Sequence, residues 1–171
     1  MLLYHGSHEN TSSIHVHAIE DVAWEIFDGI FASPSSDAAL SHGPYLYSIE
    51  IPPESVLKSG IVIELDSEPN LEHGITIDDV FADIIVDYNP EDWEIWYDAL
   101  VLEDYDRTDP IWLTLLGISD PAEIGWDLQN LRGRLAAALG YRAAEMHDEH
   151  GISYFLVPGN VLTRVDEETN A

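Results

Sequence analysis

Short alternating apolar segments at both ends of the chain predict β-strands, whereas the middle of the chain shows helical spacing. Alternate side chains of a strand face opposite sides of a sheet, so a two-residue period indicates a strand. Strands are predicted at residues 2–5, 29–32, 45–51, 61–65 and 161–165. Two further strands, residues 141–146 and 153–157, are predicted to form a hairpin around a polar turn.

Helices are predicted where a capping side chain precedes a proline, because proline fits the first turn of a helix. Such pairs occur at Ser33-Pro34, Asn89-Pro90, Asp109-Pro110 and Asp120-Pro121. Another helix is predicted over residues 76–86. The longest is expected over residues 120–139, where leucines at spacings of three and four share one face: Leu128, Leu131, Leu135 and Leu139. Helices set against short antiparallel strands predict an α+β fold.

The composition favours one folded domain. The chain has 171 residues, of which 46% are hydrophobic, so a single domain over residues 1–171 is expected. Residues 52–123 read as a helical, acidic insert between β-rich flanks. Cysteine is absent, which excludes disulfides and thiolate chemistry. The eight histidines lack the helical spacing of zinc hydrolases, so no metal is expected.

The strongly acidic balance narrows the classes of partner. Thirty-three acidic and six basic residues give a formal net charge of −27. Binding to nucleic acid through phosphates needs lysine and arginine, and an acidic membrane surface would repel the chain. We therefore expect no direct nucleic-acid partner and no membrane partner. The absence of cysteine fits a cytoplasmic location, which we also expect. The charge fits docking to a basic protein, but it also fits simple solubility or a salty habitat.

Candidate chemistry lies where the first two predicted strands end. In His5-Gly6-Ser7 the histidine can donate to a sugar hydroxyl, and the glycine lets a ligand approach the backbone closely. In Gly29-Ile30-Phe31-Ala32-Ser33 the aromatic ring can stack on a flat heterocycle. Taken alone, the first motif is more typical of an ordinary turn with a surface histidine, and the second of a core aromatic. Together they indicate a pocket for a nucleotide.

An acidic turn supplies a candidate carboxylate. Asp148 and Glu149 lie in the predicted hairpin turn. Aspartate is common in turns for backbone reasons, yet hairpin tips also present catalytic groups. The chain lacks the P-loop pattern, the Gly-x-Ser-x-Gly elbow and the dinucleotide-fold glycine fingerprint. Their absence argues against a P-loop NTPase, a serine hydrolase of the elbow type and a hydride-transferring Rossmann domain.

In this order the motifs resemble the ADP-ribosyltransferase superfamily, whose core is a split antiparallel sheet that holds NAD in a cleft. Within it, the chain is most similar to the phage-borne anti-CRISPR ADP-ribosyltransferases that inhibit type I-F CRISPR systems. The resemblance is carried by residues 3–8, 29–43 and 125–160. It includes the long segments 125–133 and 145–151.

The resemblance implies both an activity and a set of roles. The expected enzyme is an NAD-dependent mono-ADP-ribosyltransferase that modifies a protein, a subunit of a type I-F CRISPR surveillance complex. NAD is the implied co-substrate, and Asp148 is the implied catalytic carboxylate, because Ile152 and Ser153 occupy the place of the usual glutamate. Polymer formation is not expected, since Leu40 falls nearest the usual second tyrosine. The implied NAD-binding residues are His5 on a ribose hydroxyl, Gly6 at the carboxamide, Phe31 on nicotinamide, and Ser7 and Ser33 in the wall.

Two other classes fit the same residues. A non-catalytic acidic protein could imitate DNA and block a basic groove without NAD. An NAD glycohydrolase would use the same pocket with water as the acceptor, because pocket motifs do not encode the acceptor.

Overall fold

The computed structural model describes residues 1–17, 29–60, 76–148 and 151–165. Within these ranges, eight strands form two four-stranded sheets, with strand orders β1-β4-β8-β2 and β3-β7-β6-β5. The strands are β1 (Leu2–Ser7), β2 (Ser13–His15), β3 (Ile30–Ala32), β4 (Tyr45–Glu50), β5 (Val56–Leu57), β6 (Ala143–Asp148), β7 (Gly151–Leu156) and β8 (Val161–Arg164).

The two sheets meet where β1 passes β3. Tyr4 and Ser33 form an antiparallel bridge, and each backbone N–H donates to the other residue's carbonyl oxygen at 2.8 Å. The joined arrangement is the split sheet expected from the sequence, and it confirms the α+β prediction. It also brings the two candidate motifs side by side.

The predicted hairpin is present as β6 and β7. Its register runs from Ala143 opposite Leu156 to Asp148 opposite Gly151. Two strands were missed because they are only two or three residues long. One is β2, and the other is β5, which pairs in parallel with β6. The predicted strand at residues 61–65 lies outside the described residues.

The described ranges contain five α-helices, of which α1 packs on β1 and β4 and α5 packs on β6. They are α1 (Ser36–Leu40), α2 (Ile77–Ile84), α3 (Trp93–Tyr97), α4 (Ile111–Leu115) and α5 (Ile124–Ala138). None of the helices within the described ranges is long and apolar enough to span a membrane.

The start of α1 differs from the prediction. The N-cap is Ser35, whose side chain accepts from the Ala38 N–H, rather than Ser33. Ser33 cannot serve because both of its backbone groups are committed to the bridge with Tyr4. The bridge between Tyr4 and Ser33 therefore moves the N-cap of α1 two residues along the chain, from Ser33 to Ser35.

The helix predicted from Asn89-Pro90 forms in three pieces. A 3₁₀ turn at Pro90–Asp92 leads into α3, which continues as a π-helical turn at Asp98–Leu102. The turn ends at Glu103, whose φ of 57° lies in the left-handed region.

The predicted leucine face of α5 packs inward. Leu128 and Leu135 are fully buried, and Leu131 and Leu139 pack against the same core. One residue of the helix was not expected there: Arg132 is only 2% exposed. A second, smaller core lies beneath β1, β4 and β8 around Leu3, Tyr47 and Leu162.

Candidate active site

His5 ties the first strand to the second motif. Its Nδ1 lies 2.8 Å from the carbonyl oxygen of Phe31. A carbonyl can only accept, so Nδ1 carries the proton. Burial lowers the pKa of His5, with nearby His42 adding to the shift, while the bond to Phe31 opposes it. At neutral pH the ring is therefore uncharged and presents Nε2 as an acceptor, which reverses the hydrogen-bond direction expected from the sequence.

Gly6 lies at a close approach between β1 and α1. A Cβ built on Gly6 would stand 1.9 Å from the carbonyl oxygen of Ala39 and 3.2 Å from the Gly43 nitrogen. A Cβ on Gly43 would in turn meet the Ser7 carbonyl carbon at 2.3 Å. The sequence suggested a glycine that admits a ligand. The structure adds that the absence of a side chain at Gly6 also lets α1 pack closely against β1.

Phe31 is half-buried on β3. Its ring meets that of Phe155 edge to face, with centroids 5.2 Å apart, and it packs against the larger core. The opposite register partner of Phe31 is the same Phe155. The ring is thus held in place by the strand next to it, and its role toward nicotinamide stays a prediction.

The two candidate wall serines bond to their own turns. Ser7 Oγ accepts from the Glu9 N–H at 3.0 Å, and Ser33 Oγ accepts from the Ser35 N–H at 3.1 Å. Such local bonds are typical of serines at the ends of strands. Both serines are half-buried and flank the junction of the two sheets.

The backbone of Asp148 lies at the same end of its sheet as Ser33. Along β7, Tyr154 pairs with Ala32 of β3, and Gly151, three residues earlier, pairs with Asp148. Because β3 and β6 both run antiparallel to β7, the C-terminal ends of β3 and β6 lie at the same end of the sheet. Of the predicted residues, the structure therefore joins His5 to Phe31 directly and bonds Ser33 to Tyr4, the neighbour of His5. The backbone of Asp148 lies at the same end of the sheet as Ser33.

Sequence reasoning missed a polar cluster beside Asp148. It comprises Ser59, Glu103, Arg132, Glu145 and His147. The clearest link joins His147 Nδ1 to Glu103 Oε2 at 2.7 Å. Ser59 and Glu145, which are hydrogen-bonded to each other, are 86 positions apart in the chain, so no local pattern reveals the cluster. The single available signal was an arginine on the leucine face of a helix.

No metal site emerges from the described residues. Among residues 1–17, 29–60, 76–148 and 151–165, no group of three or more histidine, aspartate or glutamate side chains is placed to hold an ion. The rings of His15 and His17 stack on each other, with their centroids 6.0 Å apart.

A split sheet with a half-buried histidine on β1, an aromatic on β3 and the β6–β7 hairpin beside β3 is consistent with an ADP-ribosyltransferase-type fold. Over residues 1–164 the sequence matches the family described as anti-CRISPR type I-F ADP-ribosyltransferase AcrIF11. The chain belongs to this family.

The structural comparison agrees. A solved structure described as the crystal structure of an anti-CRISPR protein aligns with a TM-score of 0.51 and 25% sequence identity. The alignment covers 96% of this chain and 95% of that one. A comparison with curated proteins found no match.

These findings confirm the resemblance and the class of function. The protein is an enzyme, an ADP-ribosyltransferase that acts as an anti-CRISPR inhibitor. Membership of the family implies NAD as the co-substrate and a CRISPR-related protein as the target.

Proposed function

We propose that the enzyme transfers one ADP-ribose from NAD to a subunit of a type I-F CRISPR surveillance complex. The nicotinamide half of NAD would lie where β1 meets β3, and Asp148 would supply the catalytic carboxylate. The observation that carries the proposal is the junction itself. There, His5 Nδ1 bonds to the Phe31 carbonyl, and the Tyr4–Ser33 bridge joins the two motifs.

In this proposal the residues of the junction bind and orient NAD. The neutral His5 ring would accept a hydrogen bond from a ribose hydroxyl through Nε2. Gly6 would offer backbone groups to the carboxamide, and Phe31 would stack on nicotinamide. Ser7 and Ser33 would line the wall.

Asp148 would act on the bond that breaks. The bond between ribose C1′ and the nicotinamide nitrogen breaks, and its electron pair leaves with nicotinamide. Positive charge develops on the ribose, and a carboxylate bonded to the 2′-hydroxyl would offset that charge. A nucleophile on the target then bonds to C1′, and its proton passes to the carboxylate.

The test uses purified surveillance complex, NAD and intact-mass measurement. One target subunit should gain the mass of one ADP-ribose. Asp148→Ala should abolish the gain with the fold intact, while the neighbouring Glu149→Ala should retain most of the rate. An active Asp148→Ala enzyme, or a dead Glu149→Ala enzyme, would show that the carboxylate is misassigned. Nicotinamide release without any labelled subunit would identify an NAD glycohydrolase instead.

We also propose that the acidic insert, residues 52–123, docks a basic surface of the target. Its acidic side chains are largely exposed in the described part, among them Asp78, Asp79, Asp83, Asp87, Glu91, Glu94, Asp104, Asp106 and Asp109. Clustered exposed charge speeds encounter with an oppositely charged partner and is screened by salt over about 10 Å at 0.1 M.

Neutralising several of these carboxylates separates docking from NAD binding. Asp83→Asn, Asp87→Asn and Glu91→Gln together should slow transfer to the complex at low salt, while the affinity for NAD holds. If neither the rate of transfer nor the affinity for NAD changes, the acidic surface serves solubility alone. If the protein inhibits the complex equally well with and without NAD, it blocks the complex as a DNA mimic would.

A further inference from the structure

Strand β6 carries Asp148, and along part of one edge its backbone hydrogen-bonds to side chains rather than to a neighbouring strand. On β6, only Ala143 and Ala144 pair with β5. Beyond them, Arg132 Nε donates to the carbonyl oxygen of Glu145 at 3.0 Å. The backbone N–H of His147 donates to Glu103 Oε1 at 2.7 Å. Two side chains thus satisfy groups that a neighbouring strand would otherwise bind.

Glu103 holds His147 by two separate contacts. Its second oxygen, Oε2, lies 2.7 Å from His147 Nδ1 and accepts a hydrogen bond from Ser59 Oγ. The Glu103 side chain is 7% exposed, whereas the His147 side chain is 53% exposed. The buried carboxylate therefore fixes both the backbone and the ring of the residue that precedes Asp148.

Arg132 fixes Glu103 in turn. The Arg132 Nη1 donates to the carbonyl oxygens of Leu100 and Val101, the latter at 3.0 Å. Both carbonyls belong to the π-helical turn that ends at Glu103. Burial lowers the pKa of Arg132, while the charges of Glu103 and Glu145 oppose the shift. An arginine stays charged even so, and its charge compensates the buried carboxylate of Glu103.

We propose that Glu103 is a positioning residue that holds the end of β6, and with it Asp148, at the edge of the NAD site. The inference rests on the proposed catalytic role of Asp148. Adjacent Cα atoms lie about 3.8 Å apart, so a clamp on the His147 N–H sets where the next residue stands. A misplacement of 1 Å can cost about 100-fold in rate. The end of a hairpin held on one side would otherwise fray.

The experiment compares four variants of the full chain: Glu103→Ala, Glu103→Gln, Asp104→Asn and Asp148→Asn. Steady-state transfer to the complex gives kcat and the KM for NAD, and amide hydrogen exchange reports on the His147 N–H. Asp104 is the matched control because it is adjacent, acidic and exposed. A general effect of insert charge on docking would affect Asp104→Asn and Glu103→Gln alike.

Glu103→Ala should lower kcat by up to about 100-fold, with the KM for NAD nearly unchanged and faster exchange at His147. Glu103→Gln should recover part of kcat, because its amide oxygen still accepts from the His147 N–H. Asp104→Asn should lose only what one docking charge contributes, seen in the KM for the complex, with the exchange at His147 unchanged. If Glu103→Ala does not fold, the comparison of Glu103→Gln with Asp104→Asn carries the test.

Three results would overturn the proposal. One is a wild-type kcat in both Glu103 variants, and another is an effect confined to KM. The third is unchanged exchange at His147 when kcat has fallen. An inactive Asp148→Asn with fully active Glu103 variants would refute the positioning role and leave the proposed function standing. An active Asp148→Asn would refute the proposed function itself.

Discussion

Replacing Gly6 by alanine tests the close approach on which the proposed NAD site is built. The added Cβ would stand 1.9 Å from the carbonyl oxygen of Ala39 and 2.7 Å from its carbonyl carbon. Both atoms are backbone atoms of α1, so no side-chain rotation relieves the contact. Gly6 lies inside β1 at a normal φ, and the cost therefore arises from space rather than from backbone conformation.

The magnitude follows from the distance. The Ala39 carbonyl must retreat by about 1.1 Å to reach even 3.0 Å, a separation that real Cβ atoms essentially never undercut. Overpacking of this kind costs about 1–3 kcal/mol of stability. For a domain of this size, that lowers Tm by about 2–12 °C. Because α1 must move off β1 beside His5, the affinity for NAD should fall as well.

The assay is thermal unfolding together with calorimetric titration of NAD. Gly125→Ala is the matched control, since a Cβ at this helical glycine meets no atom within 4 Å. Alanine there should stabilise α5 by about 0.5–1 kcal/mol. If Gly6→Ala unfolds at the wild-type temperature and binds NAD equally well, the β1–α1 packing described above is wrong.

Two other changes probe the buried polar groups. Arg132→Met should lower the free energy of unfolding by about 3–5 kcal/mol in urea titrations. It removes the positive charge beside Glu103 and the donor to three backbone carbonyl groups. The exposed Arg107→Met serves as its control, and an equal effect of the two would contradict the assignment. Burial lowers the pKa of His5 below 6.5, so the unfolded chain binds a proton more readily than the folded one. Wild-type stability should therefore fall as pH drops through 6.5 toward the lowered folded value, and His5→Asn should remove that part of the slope. Identical slopes from pH 7.5 to 5.5 would count against the buried, neutral ring.

The local pattern of the chain determined which segments are strands and helices, together with the motifs that carry the family resemblance. Alternation predicted β1, β4 and the β6–β7 hairpin, because a two-residue period depends on neighbouring positions alone. Capping side chains before prolines located the starts of the helical segments at Asn89 and Asp120 for the same reason. The predicted start of α1 was wrong by two residues, because the backbone groups of Ser33 bond to Tyr4, which is distant in the sequence.

The tertiary structure alone decided how distant groups meet. It set His5 against the Phe31 carbonyl, which fixes the ring's proton on Nδ1 and leaves Nε2 as an acceptor. It also buried Arg132 and brought Glu103 of the insert to His147, 44 residues away. Contacts of this kind depend on sheet order and on the packing of α5 against β6, neither of which leaves a periodic trace in the sequence. The chain's own pattern therefore specifies its elements and its family, while the geometry of the site exists only once the two sheets have joined.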